Sequence, residues 1–402
     1  MVVIPRCKAA ASTHPMPLRV LIIPDKFKGT LTAPEAAQAI AAGWREGRPA
    51  DELELLPMSD GGDGFGDILG RHLGAQPRTV ETVDAAHRPV QATWWWEPRL
   101  KIAIIESARI IGLAGLPPGR FHPFELDSYG LGPALRAAAQ AHPRLCLVGL
   151  GGSATNDAGF GLARALGWQF LDQQDRPIEQ WTQLSQLARL VRPQRPCRFK
   201  RLEIAVDVRN RLLGVAGATR IFGPQKGIRP EDIQPAERCL RRLLWVVRKE
   251  LGFGSNPANM PGAGAAGGLG FGLFVFVGGP LISGFRLFSA WTKLKQRLRD
   301  FQLVITGEGT LDQTTVYTGK GVCRVASLAR ARRIPCLGLA GVVGQPEVVG
   351  PRFTQVHSIT PELASVDAAM ATPAFWLREL ARRTAVAWPE TAPPAALGLK
   401  GR

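Results

Sequence analysis

The chain has 402 residues, of which 45% are hydrophobic and 21% charged, and its mean hydropathy is close to zero. At about 150 residues per domain this length suggests two or three domains, and the composition excludes a chain that is disordered throughout. The 45 glycines and 32 prolines follow no Gly-X-Y period, which excludes collagen and favours a loop-rich enzyme.

The formal net charge is +17, and a surface of this sign attracts nucleic acid, anionic lipid or small acidic substrates. The densest basic segments are 192–201 and 238–249, and apolar residues interrupt both. We interpret them as solvated faces and not as a dedicated nucleic-acid surface. The six cysteines include no Cys-x-x-Cys pair, so we expect neither a zinc ribbon nor a disulfide framework, and we expect a cytoplasmic location.

The first elements predict a parallel sheet with helices on its faces. Residues 18–23 are a short apolar run typical of a buried parallel strand. Thr32-Ala33-Pro34-Glu35 is a capping box, which predicts a helix that ends near Trp44. A strand over 53–56 and a helix over 65–73 follow, and this β-α-β-α order is typical of Rossmann-like and flavodoxin-like α/β domains.

The same order of elements returns late in the chain, with strands predicted at 303–305, 336–340 and 355–358 and a final helix at 375–386. The middle of the chain has its own strands, at 93–96, 102–105, 145–148 and 204–206. We therefore predict a discontinuous Rossmann-like α/β domain of residues 18–76 and 289–386. A second α/β domain, residues 77–288, would be inserted into it, and 1–17 and 387–402 would be flexible tails.

Residues 251–285 contain no charged side chain, which requires a test for membrane insertion. A spanning helix needs about 20 consecutive apolar residues. Glycines recur throughout this stretch, and Pro261 and Pro280 interrupt it. We therefore expect a glycine-rich loop followed by a buried helix, with no membrane insertion.

A glycine-rich loop at 149–157 follows one predicted strand and precedes a helix predicted at 158–166. Such a loop points backbone N–H groups and the positive end of a helix at an anion. The residues that we expect to bind phosphate or substrate here are Gly151, Gly152, Ser153 and Asn156. The spacing Gly262-x-Gly264-x-x-Gly267 is similar, but no strand precedes it. Gly264 and Gly267 therefore mark either a close backbone approach to a ligand or helix packing.

Acidic residues follow several predicted strands, at the edge where open parallel sheets bind ligands. Acids that converge there repel one another unless a cation lies between them, which indicates Mg²⁺. These acids are Asp25, Asp60, Asp63, Asp207, Glu308 and Asp312. A lysine is a compact charge suited to phosphate, and three of the few lysines lie in comparable glycine-containing loops, namely Lys28, Lys226 and Lys320.

Taken together, these segments resemble the glycerate kinase family of the bacterial type. The resemblance rests on 24–33, 59–64, 149–167, 205–208, 220–227, 261–270 and 304–320, and it extends over about 18–385. It implies ATP-dependent phosphorylation of D-glycerate to 2-phosphoglycerate, with the active site in the cleft between the two α/β domains. We expect no nucleic-acid or membrane partner, and a homodimer is one possible assembly. The chain departs from the family pattern at Arg211, where proline is usual, and in a longer 312–320 segment.

Phosphoryl transfer to an alcohol needs a base near the hydroxyl and cations around the phosphoryl group. We predict that Asp207 or Asp60 is the catalytic base and that Glu308 or Asp312 helps to hold Mg²⁺. We expect Lys28 and Lys320 to neutralise phosphate charge, and we also predict that Lys28 is a catalytic residue.

Two other functions remain open. The spacing Gly149-x-Gly151-x-x-Ala154 also fits a dinucleotide fingerprint, with Asp172 as the ribose carboxylate. This pattern would indicate an NAD(P)-dependent oxidoreductase. The other alternative is a non-enzymatic, basic nucleic-acid-binding protein, which would use the net charge and would bind less tightly as salt increases.

Overall fold

The computed structural model describes residues 17–319 and 321–389, which divide into two compact units. The first unit comprises the chain up to Pro57, Arg297–Tyr317 and the chain from Val325. The second comprises Met58–Gln296 and Thr318–Arg324. Residues 58–76, which we predicted to belong to the first domain, belong to the second unit. Of the tails predicted at 1–17 and 387–402, residues 1–16 and 390–402 lie outside the described residues, as does Lys320. The second tail was predicted to start too early, because the last helix runs to Ala387 and Trp388 is buried against the core of the first unit.

In chain order the strands are β1 (Arg19–Ile22), β2 (Glu52–Leu55), β3 (Gln76–Val83), β4 (Pro89–Glu97), β5 (Ile102–Glu106), β6 (Leu145–Leu150), β7 (Gln169–Leu171), β8 (Arg189–Val191), β9 (Leu202–Val206), β10 (Leu281–Ser283), β11 (Leu303–Leu311), β12 (Cys336–Val343) and β13 (Gln355–Thr360). The helices are α1 (Ala33–Gly47), α2 (Phe65–Leu73), α3 (Ala108–Ile111), α4 (Leu131–Gln140), α5 (Phe160–Ala165), α6 (Ala218–Phe222), α7 (Ile233–Leu251), α8 (Ala265–Gly272), α9 (Gly284–Trp291), α10 (Leu294–Arg297), α11 (Gln313–Thr318), α12 (Gly321–Arg330), α13 (Pro346–Val349), α14 (Val366–Ala371) and α15 (Pro373–Ala387).

The first unit contains a five-stranded sheet in the order β13-β12-β11-β1-β2, and each neighbouring pair is parallel. Numbered within the unit, this is the order 2-1-3-4-5 of flavodoxin-like domains, so the predicted α/β fold class is confirmed. Helices α1 and α15 cover one face with Ile40, Trp44, Leu377 and Leu380. The strand order reverses between β1 and β11, and open sheets of this kind bind ligands beyond the strand ends at such a reversal.

Strand β11 is longer than predicted. The strand was predicted at 303–305 with Glu308 beyond its end, but the pairing with β12 continues to Leu311. Gly307 explains the difference, because a Cβ at this position would overlap the carbonyl oxygen of Leu339 on β12. Only a glycine allows this close approach, and Glu308 consequently lies within a strand, opposite Ala340.

The capping box predicted at the start of α1 is present. Glu35 N donates to Thr32 Oγ1 at 3.4 Å, and Thr32 N donates to Glu35 Oε2 at 2.8 Å. We expect Thr32→Ala to lower the free energy of unfolding by about 1 kcal/mol, because one backbone N–H at the helix start loses its acceptor. Urea denaturation of the variant measures this change. Thr372→Ala is the control, because Thr372 precedes α15 without a side-chain cap. An equal loss in both variants would contradict the prediction.

The second unit contains a six-stranded sheet in the order β10-β9-β6-β5-β4-β3. Strands β10, β9, β6 and β5 are parallel to one another, whereas β4 and β3 are antiparallel to their neighbours. Helix α2 belongs to this unit because Phe65 and Leu69 pack with Trp95 of β4 and Ile104 of β5. This packing places 58–76 in the second unit.

The buried helix expected after the glycine-rich loop is present as α8. It continues into a π-helical turn over Leu273–Val277, and β10 and α9, which were not predicted, follow. Gly278 and Gly279 break the helix with φ values of 90° and 117°. A Cβ at Gly279 would lie 2.8 Å from the carbonyl oxygen of Leu202, so glycine allows β10 to pair with β9. Within the described ranges, no helix combines the length and apolarity needed to cross a bilayer.

Candidate functional site

Loops of the second unit gather at the carboxyl ends of β6 and β9 through close glycine contacts. A Cβ at Gly151 would lie 2.6 Å from Cα of Gly62, and a Cβ at Gly61 would lie 3.1 Å from the carbonyl oxygen of Ala205. The loop over 59–64 therefore contacts both the loop after β6 and the end of β9. These contacts place Asp60 and Asp207, the two candidate bases, at the same edge of the sheet.

The loop over 261–270 packs into the same cluster. A Cβ at Gly267 would overlap the carbonyl oxygen of Thr155, and one at Gly264 would overlap that of Arg211. Both glycines therefore pack against the backbone of a neighbouring loop, and a role for Gly264 and Gly267 in binding a ligand stays a prediction. We use the name carboxyl-end cluster for the four loops 59–64, 149–157, 207–212 and 261–270.

Lys226 is a buried cation that contacts the carboxyl-end cluster. It lies in a 3-10 turn, Pro224–Lys226, and its Nζ donates to the carbonyl oxygen of Thr155 at 2.7 Å and to Ser153 Oγ at 3.2 Å. Burial lowers the pKa of Lys226 to about 7, and the charge of Asp157 opposes this shift. An ammonium group has three donors, so one remains for an anionic ligand.

Asp157 is a site residue that the sequence analysis did not assign. Its Oδ2 accepts from Ser128 Oγ at 2.6 Å and from the N–H groups of Ser128 and Gly161 at 2.9 Å. Burial raises the pKa of Asp157, and the nearby Asp127 adds to this rise. An aspartate directly before a predicted helix is the signal that could have identified this capping role.

The hydrogen bonds at the start of the following helix contradict the prediction that this helix end binds an anion. Helix α5 begins at Phe160 and not at residue 158, and its amino-terminal N–H groups are already used. Gly161 N donates to Asp157 Oδ2, and Leu162 N donates to Ser128 Oγ at 3.0 Å. A carboxylate of the chain therefore takes the place that the sequence analysis gave to a ligand anion, so Gly151, Gly152 and Ser153 have no free helix end beside them.

We expect Asp157→Asn to lower the free energy of unfolding by about 1.5–3 kcal/mol, because a hydrogen-bonded charged group is replaced by an amide whose nitrogen cannot accept. Chemical denaturation measures the loss. Asp175→Asn is the matched control in the same unit, since Asp175 makes an exposed ion pair with Arg189 at 2.7 Å, and such pairs contribute little. Similar losses in both variants would contradict the buried role of Asp157.

Four buried side-chain atoms near these loops have no hydrogen-bond partner within residues 17–319 and 321–389. They are Ser59 Oγ, Ser107 Oγ, Thr155 Oγ1 and Asn156 Oδ1. Asn156 Nδ2 donates to Thr219 Oγ1 at 3.0 Å, which fixes the orientation of its amide. A buried polar atom without a partner costs about 1–3 kcal/mol, so each of these atoms calls for a water molecule or a polar ligand atom.

In the first unit, Lys28 and Glu308 come together where the strand order reverses. Asp25 N donates to the carbonyl oxygen of Gly307 at 2.8 Å, and a Cβ at Gly309 would lie 3.3 Å from Lys28 N. Glu308 is only 8% exposed, whereas Lys28 is exposed. The loop after β1 therefore lies beside the part of β11 that carries Glu308.

Asp312 has a structural role that the sequence analysis did not foresee. Its Oδ1 accepts from Thr315 N at 2.8 Å and so caps the first turn of α11. Across the described ranges, no group of three or more His, Cys, Asp or Glu side chains is arranged to hold a metal ion. Mg²⁺ commonly takes one or two protein carboxylates together with phosphate oxygens. Glu308 fits this smaller donor set better than Asp312, because the carboxylate of Asp312 already caps α11.

Asp172 does not occupy the position that the oxidoreductase alternative requires. It lies in the turn after β7, where its Oδ1 accepts from Gln174 N at 2.8 Å and Arg176 N at 3.0 Å. Its Oδ2 accepts from Arg176 Nε at 2.9 Å. The carboxylate is therefore engaged in its own turn, and these hydrogen bonds account for Asp172 without a ribose ligand.

Two α/β units with charged loops at the carboxyl ends of parallel strands define the chain as an α/β enzyme. The sequence pattern of the glycerate kinase family matches residues 20–389. A glycerate kinase of Halalkalibacterium halodurans is 36% identical over 372 residues, which covers 91% of this chain and 97% of the relative. A glycerate 2-kinase of Escherichia coli is 34% identical, over 81% of this chain and 85% of the relative.

A solved structure from Salmonella typhimurium LT2, described provisionally as glycerate kinase 2, superposes with a TM-score of 0.74. It is 31% identical and covers 92% of this chain and 97% of its own. The chain belongs to the glycerate kinase family, and it is a kinase. These matches favour neither the oxidoreductase nor the nucleic-acid-binding alternative.

Proposed function

We propose that the protein transfers the γ-phosphoryl group of ATP to the 2-hydroxyl of D-glycerate and releases 2-phosphoglycerate and ADP. The observation that carries this proposal is the buried Lys226, held by Ser153 and Thr155 in a kinase-family chain. A buried cation with a spare donor suits the carboxylate of a small acid. The name of the Escherichia coli relative, glycerate 2-kinase, supports the choice of the 2-hydroxyl.

The hydroxyl oxygen forms the new bond to phosphorus as the bond from phosphorus to the β–γ bridging oxygen breaks. The hydroxyl proton passes to a carboxylate. We propose Asp207 as the base that accepts this proton, with Asp60 as the alternative. Asp207 follows β9 directly and is exposed. Both aspartates lie in the carboxyl-end cluster, which Lys226 contacts through Ser153 and Thr155.

In the first unit we assign phosphate binding to Lys28 and metal binding to Glu308, with Asp312 as a weaker metal candidate because it caps α11. Bound Mg²⁺ would supply positive charge to the phosphate oxygens during transfer. Lys28 would stabilise the negative charge on the same phosphates. Lys320, the other predicted phosphate ligand, lies outside the described residues. The expectation of a cleft between the two domains stays a prediction.

The test combines purified protein, ATP, Mg²⁺ and D-glycerate with detection of ADP, and compares L-glycerate, glycolate and lactate as acceptors. We expect turnover with D-glycerate well above that with the other acids. ³¹P NMR of the product distinguishes a phosphate on carbon 2 from one on carbon 3. A product phosphorylated on carbon 3, or ADP formation that does not depend on the acid, would contradict the proposal.

A further inference from the structure

The second unit has a basic pocket at the edge of its sheet that lies opposite the carboxyl-end cluster. Its volume is about 510 Å³. Residues just before β5, β6 and β9 line it together with the end of α4, and because these strands are parallel, their starts share one edge. A strand of five residues is about 16 Å long, so the basic pocket and the carboxyl-end cluster lie at edges of the sheet about 16 Å apart. The ionisable lining residues are Arg99, Lys101, His142, Arg144, Arg198 and Lys200.

The lysine and arginine side chains of the basic pocket are not neutralised by acidic side chains in the part of the chain that the structure describes. Within the described residues, none of its five lysine and arginine side chains makes an ion pair or a side-chain hydrogen bond. Other arginines of this unit do so, as in the pairs of Arg88 with Asp84 and Arg176 with Asp172. The pocket therefore concentrates positive charge that the protein itself does not neutralise.

The shape and charge of the pocket together indicate the class of ligand. The carboxyl end of α4 contributes only about half a negative charge, against five lysine and arginine charges around the pocket. A single phosphate would neutralise a minor part of that charge, whereas two or more linked phosphates would contact several cations at once. A concave pocket of this size suits a small molecule, while a long nucleic acid requires an extended basic surface.

We propose that the basic pocket binds a small molecule that carries two or more phosphate groups, at a site separate from the carboxyl-end cluster. The segment 192–201, which the sequence analysis interpreted as a solvated face, contributes Arg198 and Lys200 to this site.

The probe is inorganic tripolyphosphate, titrated calorimetrically into the full-length protein at about 0.15 M salt, where long-range attraction is screened. We expect the double variant Arg198→Gln/Lys200→Gln to bind it at least about tenfold more weakly. The control is Arg192→Gln/Arg195→Gln, which removes the same charge from exposed positions that do not line the pocket. This control should change the affinity by less than about twofold.

Lysine acetylation mapped by mass spectrometry locates the bound probe, and it separates the basic pocket from phosphate binding near Lys28. Tripolyphosphate should protect Lys101 and Lys200 but not the exposed Lys249. Equal weakening in the two double variants, or binding without protection of Lys101 and Lys200, would overturn the proposal. It would also be overturned if a short single-stranded RNA displaced the probe and bound with a steep salt dependence, because the partner would then be a nucleic acid.

Discussion

Asp207→Asn is expected to lower kcat for D-glycerate phosphorylation by about 10²–10⁴-fold, the usual contribution of a general base. An asparagine keeps the size of the side chain and cannot accept the hydroxyl proton. Asp207 is exposed at the end of β9, so the substitution should change the free energy of unfolding by less than about 0.5 kcal/mol. ADP-coupled kinetics measure kcat and KM, and thermal denaturation confirms that the variant is folded.

Asp60→Asn is the matched variant, because Asp60 is the alternative base in the same cluster. If Asp207 accepts the proton, the loss in Asp207→Asn should appear mainly in kcat with KM little changed, since the interaction develops in the transition state. Near-normal turnover in Asp207→Asn together with an inactive Asp60→Asn would assign the base to Asp60. Normal turnover in both variants would show that neither aspartate acts as the general base.

Lys226→Met is expected to reduce kcat/KM for D-glycerate by about 10²–10³-fold, since a buried charged partner of the substrate anion is lost. Methionine has a similar length and carries no charge. Lys295→Met is the control, because Lys295 is an exposed lysine of the same unit, and it should leave kcat/KM unchanged. Equal kinetics of Lys226→Met and the wild type would remove Lys226 from substrate binding.

The lowered pKa of Lys226 also predicts that the stability of the protein without substrate depends on pH. Its pKa is about 7 in the folded chain, against 10.5 for an ordinary lysine. Between these values the unfolded chain binds more protons, so the free energy of unfolding rises as the pH increases through this window. The wild type should gain stability relative to Lys226→Met between pH 7 and about pH 10. Parallel pH profiles from urea denaturation would show that Lys226 is not desolvated.

The sequence predicted the local elements of the fold well, because they depend on short-range chemistry. The capping box at Thr32 fixed the start of α1, and the periodic apolar residues of 65–73 matched α2. Buried apolar runs such as β1 and β9 needed no tertiary information to be identified as strands. The resemblance to glycerate kinases, which the comparisons confirm, followed from the order of the glycine-rich loops.

The tertiary structure decided those features that depend on which backbone lies next to a glycine. The extension of β11 past residue 305 required the carbonyl oxygen of Leu339 beside Gly307, and β10 required Leu202 beside Gly279. Neither neighbour is close in the sequence. The length of one strand and the existence of another therefore could not be predicted from local pattern.

In the candidate site, too, some features follow from the sequence alone and others only from the tertiary structure. The sequence alone determined the family and the residue types at the strand ends, because phosphoryl transfer requires carboxylates and lysines whatever the details of packing. Only the tertiary structure showed that Asp157 takes up the helix end expected to bind anions, and that Lys226 is buried with Ser153 and Thr155. Burial and hydrogen bonding set the protonation and availability of a side chain, and both arise from residues distant in the chain.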